Sequence, residues 1–217
     1  MNFYAQGIEK AENGEEYGEG NLFVYPVVPT TMPIVDDMIA DGRAERIMHE
    51  TGTDHVTVIA LKMTHGVGSS DSDTGKTRTW WANANQKGKR NLLFSRALRM
   101  PKGGFAIESI FTAAVTVAEI VADLVSAPVT IKYPNDVLVD GAKICGCLVE
   151  SKYQAGDAPG SERFLNLGVA VNINVTPPQN IIRERAAITA VTSLADYGAA
   201  IPLHEFLEAF DRRYAEI

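Results

Sequence analysis

One lysine lies within an apolar strand pattern, VTIKYP at residues 129–134, directly before the Asn135-Asp136 pair. An ammonium fixed at the end of a strand can stabilise negative charge on a bound group. The alternative is a solvated lysine at a sheet edge, which discourages pairing with a further strand. Pro134 has no amide hydrogen for the strand ladder, so the strand is predicted to end at Lys132.

A long polar stretch, HGVGSSDSDTGKTRT at residues 65–79, follows a run of buried strand character. It contains Gly, Ser and Asp without apolar periodicity, and we interpret it as a loop. Long loops in compact domains are uncommon and are usually functional or disordered. Gly66 and Gly68 lack side chains, so the backbone amides of this loop can approach a ligand.

The composition restricts the class of protein. The chain has 217 residues, of which 46% are hydrophobic, which is enough for the core of one domain. A net charge of −7 argues against a protein that binds nucleic acid through phosphates. The first twenty residues are polar and acidic, and no apolar run predicts a signal peptide or membrane span. Cys145 and Cys147 lack zinc-site spacing and are predicted to be buried thiols or a redox-sensitive pair in a reducing, cytoplasmic compartment.

The predicted elements form one domain over residues 21–217, after a polar segment at 1–20. Strand patterns cover residues 21–28, 56–63, 91–100, 129–134, 136–139, 142–150 and 163–175. Helical patterns cover residues 30–52 and 103–126, with two short helices at 193–200 and 202–217. Asp140-Gly141 between apolar runs predicts a two-residue hairpin. The fold class is therefore α+β, with a mixed, largely antiparallel sheet and helices on one side.

Five stretches occur in an order that resembles the catalytic domain of biotin protein ligases, in the biotin/lipoate ligase superfamily. They are VPTTM at 28–32, ALKMTHGVGSS at 60–70 running on to TGKTRTWW, KYPNDVLVDGAKICGCLVE at 132–150, LGVAVNINV at 167–175 and AVTSL at 190–194. KYPND resembles the Lys-Trp-Pro-Asn-Asp motif, the most specific motif of that family. The resemblance spans residues 22–215 and implies the class II synthetase-like fold of these enzymes.

The resemblance implies an adenylate-forming ligase that uses ATP, with Mg²⁺ carried on the nucleotide. Such enzymes join the carboxylate of biotin to the α-phosphate, then pass biotin to a lysine of a carboxylase carrier domain. Lys132 matches the family's lysine and would hold both the carboxylate and the α-phosphate. No acidic pair in the sequence stands out as a metal site.

The resemblance also implies contacts to biotin and to the adenylate. The expected biotin-binding residues are Thr30, Thr31, Met32, Met63, Gly66, Gly68, Lys132, Gly146 and Gly168. The expected adenylate-binding residues are Arg78, Trp80, Asn135 and Asn172. Structural alternatives remain open: helix capping for the threonines, close strand packing for Gly146 and Gly168, a turn cap for Asn135, a core position for Trp80 and a strand end for Asn172.

The chain departs from the family pattern in its loop and at both ends. The family's Gly-Arg-Gly-Arg is here Gly66-Val67-Gly68-Ser69, and Met63 stands where a glutamine is usual. Lys87, Lys89 and Arg90 either replace the missing cations or form a solvated basic patch. We expect neither a helix-turn-helix domain before residue 21 nor a C-terminal SH3-like barrel in this chain, and therefore no repressor-type ligase.

Two other functions remain open. A lipoate or octanoate ligase or transferase of the same superfamily would place its lysine in a different sequence context from KYPND. A non-catalytic member that binds biotin or a nucleotide would explain the missing loop arginines.

Overall fold

The structure is a computed structural model that describes residues 2–70, 77–80, 89–100, 106–152, 164–178 and 190–216. The helices are α1 (Phe3–Glu12), α2 (Met32–Ala40), α3 (Arg43–Thr51), α4 (Ala106–Leu124) and α5 (Leu203–Tyr214), with a 3-10 helix at Leu194–Tyr197. The strands are β1 (Tyr17–Glu19), β2 (Leu22–Tyr25), β3 (His55–Ala60), β4 (Gly66–Ser70), β5 (Thr77–Trp80), β6 (Leu92–Arg99), β7 (Val129–Lys132), β8 (Asp136–Val139), β9 (Ala142–Lys152) and β10 (Phe164–Val171). None of the helices in these ranges has the length and apolar character needed to span a bilayer.

Eight of the strands form one sheet in the order β1-β2-β3-β6-β10-β9-β8-β7. β2 and β3 are parallel and are joined through α2 and α3, while the other neighbours in the sheet pair antiparallel. The predicted α+β class with a mixed, largely antiparallel sheet is confirmed. β4 and β5 form a separate two-stranded pair, so part of the stretch interpreted as a loop is extended hairpin.

Helices pack on both faces of the sheet, which differs from the expected one-sided arrangement. α1, α4 and α5 share the larger hydrophobic core with one face, here called the α4 face. α2 and α3 form a second core on the opposite face, here called the α2 face. The physical reason is visible in β6, where every residue from Leu92 to Leu98 is buried, so neither face of this strand can remain open to water.

The N-terminal segment contributes a helix that its polar composition did not predict. Ile8 and Ala11 of α1 are buried in the larger core. Tyr4 donates a hydrogen bond of 2.5 Å to Asp211 of α5. Asp211 also accepts a 2.7 Å bond from the buried guanidinium of Arg96, which in turn donates to Thr57 Oγ1 at 3.0 Å. This network joins α1 and α5 to the centre of the sheet.

The hairpin at Asp140-Gly141 is confirmed. Both residues have positive φ, 50° and 77°, as a type I′ turn requires. The helical pattern at 30–52 forms two helices, because Gly42 between them has φ 77° and a left-handed residue ends a helix.

Candidate active site

A row of five residues crosses the α2 face of the sheet in direct register. Across five strands, the paired residues are Leu93, Ala170, Gly146, Asp136 and Lys132. Directly paired residues share a face of a sheet. Ala170 and Gly146 are only half-buried although β10 and β9 are interior strands. Their small size leaves a shallow floor, bounded by an apolar residue at one end and by charges at the other.

Lys143 belongs to the charged end of this floor, although its position along the strand suggests otherwise. Strict alternation would place it with Cys145 and Cys147 on the α4 face. The register shifts, however: Val137 pairs with Cys145 and Leu138 with Lys143, so Ile144 is an extra residue in β9. This β-bulge turns Lys143 towards the α2 face, beside Asp136.

The ammonium of Lys143 and the carboxylate of Asp136 form a shielded ion pair. Lys143 Nζ lies 2.5 Å from Asp136 Oδ1, and the two side chains are 11% and 13% exposed. The backbone of Lys143 forms two further hydrogen bonds: its amide donates to Ala190 O at 2.9 Å, and its carbonyl accepts from Thr192 N at 3.0 Å. The AVTSL stretch therefore lies alongside the bulge and fixes the point from which the lysine extends.

Lys132 is the last residue of β7, as predicted, and pairs with Asp136 across the turn. β7 is the terminal strand of the sheet, and the Lys132 side chain is exposed. These features agree with the sheet-edge interpretation of this lysine. Asp136 thus lies between an exposed lysine and a shielded one.

Asn135 holds the turn that follows Lys132 against β9. Its Nδ2 donates to Cys147 O at 2.8 Å, and its carbonyl accepts from Cys147 N at 2.9 Å. The side-chain donor is therefore used by the fold, in agreement with the structural alternative for this residue. The predicted contact of Asn135 with a nucleotide stays a prediction.

Thr31 stands at the start of α2, where its hydroxyl does not cap the helix. The side chain is 3% exposed. Its Oγ1 lies 2.6 Å from Ser95 Oγ on β6 and donates weakly to Met63 Sδ at 4.0 Å. The neighbouring Thr30 is half-buried. The capping alternative for Thr31 is therefore wrong, and sequence reasoning missed Ser95.

Apolar side chains surround this hydroxyl pair. Met63 lies in a small buried cluster with Val28, Ala60 and Leu93, against which Ala170 of the floor packs. Met32 covers Gly168: a Cβ built on this glycine would lie 2.8 Å from Met32 Sδ. Gly168 therefore leaves space for Met32 of α2 against β10, and its predicted contact with biotin stays a prediction.

Asn166 attaches α2 to the sheet. The side chain is fully buried on β10, and its Nδ2 donates to Met32 O and to Asp36 Oδ1, both at 2.8 Å. Lys152 Nζ binds the other oxygen of Asp36 at 2.9 Å. These contacts fix the N-terminal half of α2, and with it Thr31 and Met32, against Ser95 and Gly168.

Asn172 is 1% exposed and its side chain has partners within the fold. Its Nδ2 donates to Thr192 O at 3.0 Å, and its Oδ1 accepts from Asn91 Nδ2 at 3.2 Å. Asn91 Oδ1 in turn accepts the amides of Ile173, Asn174 and Val175. The two asparagines shape the end of β10, and the expected ligand contact of Asn172 stays a prediction.

For the stretch that corresponds to the family's Gly-Arg-Gly-Arg loop, the structure describes only the backbone of residues 66–70 and 77–80. Gly66 pairs with Trp80 across β4 and β5, and Gly68 lies in β4. The roles predicted for the side chains of Arg78 and Trp80, and for Lys87, lie outside what the structure describes. Among the described cations, Lys89 is exposed and Arg90 is half-buried. The buried Nε of Arg90 has no acceptor among the described residues.

Cys145 and Cys147 are buried free thiols on the α4 face, with their Sγ atoms 3.9 Å apart. Burial raises the pKa of the Cys145 thiol well above its usual value, and the neighbouring Cys147 raises it further. Because the thiolate is the reactive form, Cys145 is a packing residue.

Within the described ranges, no three side chains of His, Cys, Asp or Glu come together as metal ligands.

Comparison with known proteins gives the following likenesses. No protein-family model matches the chain. The biotin–[acetyl-CoA-carboxylase] ligase of Paracoccus denitrificans is 31% identical over 179 residues, which cover 76% of this chain and 71% of that protein. A biotin protein ligase from Leishmania major in complex with biotin has a TM-score of 0.60 at 18% identity, over 92% of this chain and 75% of that one. The biotin protein ligase from Aquifex aeolicus in complex with biotin and ATP has a TM-score of 0.61 at 22% identity, over 91% and 70%. These two structures support the fold.

Proposed function

This chain belongs to the biotin protein ligase family, and from that premise we propose that it biotinylates the carrier domain of a biotin-dependent carboxylase. In the first step, a carboxylate oxygen of biotin attacks the α-phosphorus of ATP and pyrophosphate leaves, giving biotinyl-5′-adenylate. In the second step, the amine of an acceptor lysine attacks the acyl carbon. An amide forms, AMP leaves, and the amine loses a proton to solvent.

The observation that carries this proposal is the Lys143–Asp136 pair at the end of the small-residue floor. The first step brings two anions together and increases the negative charge on the phosphoryl oxygens. A preorganised ammonium stabilises such charge most strongly where water is excluded. Lys143 is 11% exposed, whereas Lys132, which has this role in the sequence resemblance, is exposed to water. We therefore assign the carboxylate and α-phosphate contact to Lys143.

Asp136 would orient Lys143 through their ion pair. The Lys143 side chain faces the same side of the sheet as Gly146, over which the ligand would lie. Lys132, paired in register with Asp136 from the edge strand, would act at the outer rim, where water weakens its interaction with phosphate.

The other end of biotin would lie near α2. A neutral ureido ring needs a few hydrogen-bond partners in an otherwise apolar slot. Thr30 and Thr31 would supply hydroxyls, Met32 and Met63 the apolar surface, and the backbone of Gly66 and Gly68 further amides. Gly146 would leave space for the bicyclic ring. Met32 and Met63 are flexible side chains that can move aside when a ligand enters.

The adenylate would extend towards Asn135, Asn172, Arg78 and Trp80. Arg90 is a further candidate, because a phosphate oxygen would provide the acceptor that its buried Nε lacks among the described residues. Mg²⁺ would accompany the triphosphate, since it binds mainly phosphate oxygens, waters and few carboxylates. When bound, it would neutralise part of the nucleotide charge. The buried free thiols fit a reducing, cytoplasmic compartment.

The test is a substrate comparison with the purified protein. Pyrophosphate release and biotinyl-5′-adenylate are measured with ATP and Mg²⁺ in the presence of biotin, lipoate or octanoate. We expect product with biotin, and biotin transfer when a carboxyl carrier domain is added. Product with lipoate or octanoate but not with biotin would contradict the proposal. Binding of biotin without any adenylate would favour a non-catalytic member instead.

A further inference from the structure

Ser95 lies on β6 directly beside Gly168, on the α2 face of the sheet. Its side chain is 0% exposed, and its hydroxyl oxygen is 2.6 Å from that of Thr31. A buried hydroxyl that no ligand can reach still influences a neighbouring hydroxyl through their hydrogen bond. The direction of that bond decides what Thr31 offers to a ligand.

The Thr31–Ser95 bond can run in either direction, because both groups are hydroxyls. Thr31 has one hydroxyl hydrogen, and the thioether sulfur of Met63, which can only accept, lies 4.0 Å from its oxygen. Thr31 donates to Met63 only when it accepts the hydrogen of Ser95. A thioether is a weak acceptor, so the Thr31 hydrogen moves to a stronger acceptor at little cost when one arrives.

We propose that Ser95 is a positioning residue that holds the Thr31 hydroxyl as a donor for a neutral carbonyl oxygen of the ligand. The inference rests on the proposed function, in which that oxygen belongs to the ureido ring of biotin. Ser95 touches neither substrate. Its donated hydrogen occupies the acceptor side of Thr31, which leaves the hydrogen of Thr31 to turn from Met63 Sδ to the ligand.

The test compares Ser95→Ala in the wild-type and Thr31→Val backgrounds by calorimetric titration with biotin in the absence of ATP. Losing an oriented hydrogen bond typically weakens binding about three- to tenfold, and we expect this loss for Ser95→Ala. In the Thr31→Val background the same substitution is expected to change biotin affinity less than about twofold, because the hydroxyl through which Ser95 acts is gone. The KM for ATP and the kcat of adenylate formation are expected to stay within about twofold for Ser95→Ala.

The matched control is Thr57→Val. Thr57 is 1% exposed on the neighbouring strand β3, and its hydroxyl accepts from Arg96 on the α4 face. The substitution removes a hydroxyl that is as buried as that of Ser95 and is also hydrogen-bonded. We expect it to lower the melting temperature without changing biotin affinity. Ser95→Cys, with its weaker donor, is expected to be intermediate and provides a second variant if Ser95→Ala does not fold.

Three results would overturn the inference. The first is an unchanged biotin affinity in both Ser95 variants. The second is an equal loss in the two Thr31 backgrounds, which would mean that Ser95 acts independently of Thr31. The third is an equal loss of biotin affinity in Thr57→Val, which would mean that the loss in Ser95→Ala comes from a less stable fold. If the wild-type protein itself does not bind biotin, the proposed function fails, and the inference fails with it.

Discussion

Lys143 of β9 and Asp136 of β8 form an ion pair whose side chains are 11% and 13% exposed. Two opposite charges this far removed from water compensate each other. Asp136 and Lys143 should therefore be coupled in stability as well as in activity.

Substituting Asp136→Asn should lower the free energy of unfolding by about 3 kcal/mol, because removing one member of a shielded pair leaves the other uncompensated. The double variant Asp136→Asn with Lys143→Met should recover part of this loss. Urea titration of both variants measures the effect. The control is Asp41→Asn in the exposed Asp41–Arg43 pair, which should change stability by less than about 1 kcal/mol. Similar losses for Asp41 and Asp136 would contradict the shielding argument.

Gly168→Ala should weaken biotin binding about tenfold and leave the fold intact, because its Cβ would meet Met32 Sδ at 2.8 Å. Because the Met32 thioether is flexible, it can move aside at little cost to the free energy of unfolding. The displaced thioether would narrow the space beside Thr31. Adding Met32→Ala removes the clash and should recover only part of the affinity, because Met32 itself supplies apolar surface to the proposed site; calorimetry measures both variants. No rescue by the second substitution would argue against this explanation.

Asn166→Ala should lower both the free energy of unfolding and the affinity for biotin. It removes the two hydrogen bonds that fix the start of α2, and a loss of about 2 kcal/mol is expected. Asn21→Ala, which removes a bond from a half-buried asparagine to His55 O, should affect stability alone. Circular dichroism melts and biotin titrations on both variants distinguish the two cases. If Asn166→Ala bound biotin as tightly as Asn21→Ala, Asn166 would not position the site.

Stability should fall in mild acid because of His55. Burial lowers the pKa of this imidazole, and the charge of Arg96 lowers it further, against smaller opposing effects of Asp54 and Asp211. As the pH falls, His55 is therefore protonated in the unfolded state before it is protonated in the folded state. The His55 contribution is fully present above the ordinary pKa of 6.5 and is lost as the pH falls below it. Urea unfolding at pH 7.5 and 5.5 should show a smaller pH dependence in His55→Gln. The same reduction in His49→Gln, at an exposed position, would contradict this assignment.

The fold was largely predictable because its signals are local. Apolar strand runs, the long helix α4 and the Asp140-Gly141 turn each depend on neighbouring residues. The second layer of helices was not predicted, since burial on both faces of β6 depends on tertiary packing. α1 was not predicted either, because its few buried residues are embedded in a polar sequence.

The site was predictable to the level of segments and less so to the level of side chains. Thr31, Met32, Met63, Gly146 and Gly168 lie around one face of the sheet, as the motifs indicated. Lys143 was overlooked because alternation assigns it to the face of the two cysteines, and a single bulged residue, Ile144, reverses that assignment. Ser95 was overlooked because a lone serine in an apolar strand carries no sequence signal of its partner, Thr31.

The most direct test of the central claim is the single-turnover rate of biotinyl-5′-adenylate formation in Lys143→Met and Lys132→Met, with folding of each variant checked by its melting curve. Methionine keeps most of the length of the side chain and removes the charge. We predict a loss of about 10²–10³-fold for Lys143→Met, typical of removing one electrostatic contact to the transition state. Lys132→Met should lose less than about tenfold, because this residue is exposed and water weakens its interaction with phosphate. A wild-type rate in a folded Lys143→Met variant, or the larger loss in Lys132→Met, would contradict the account.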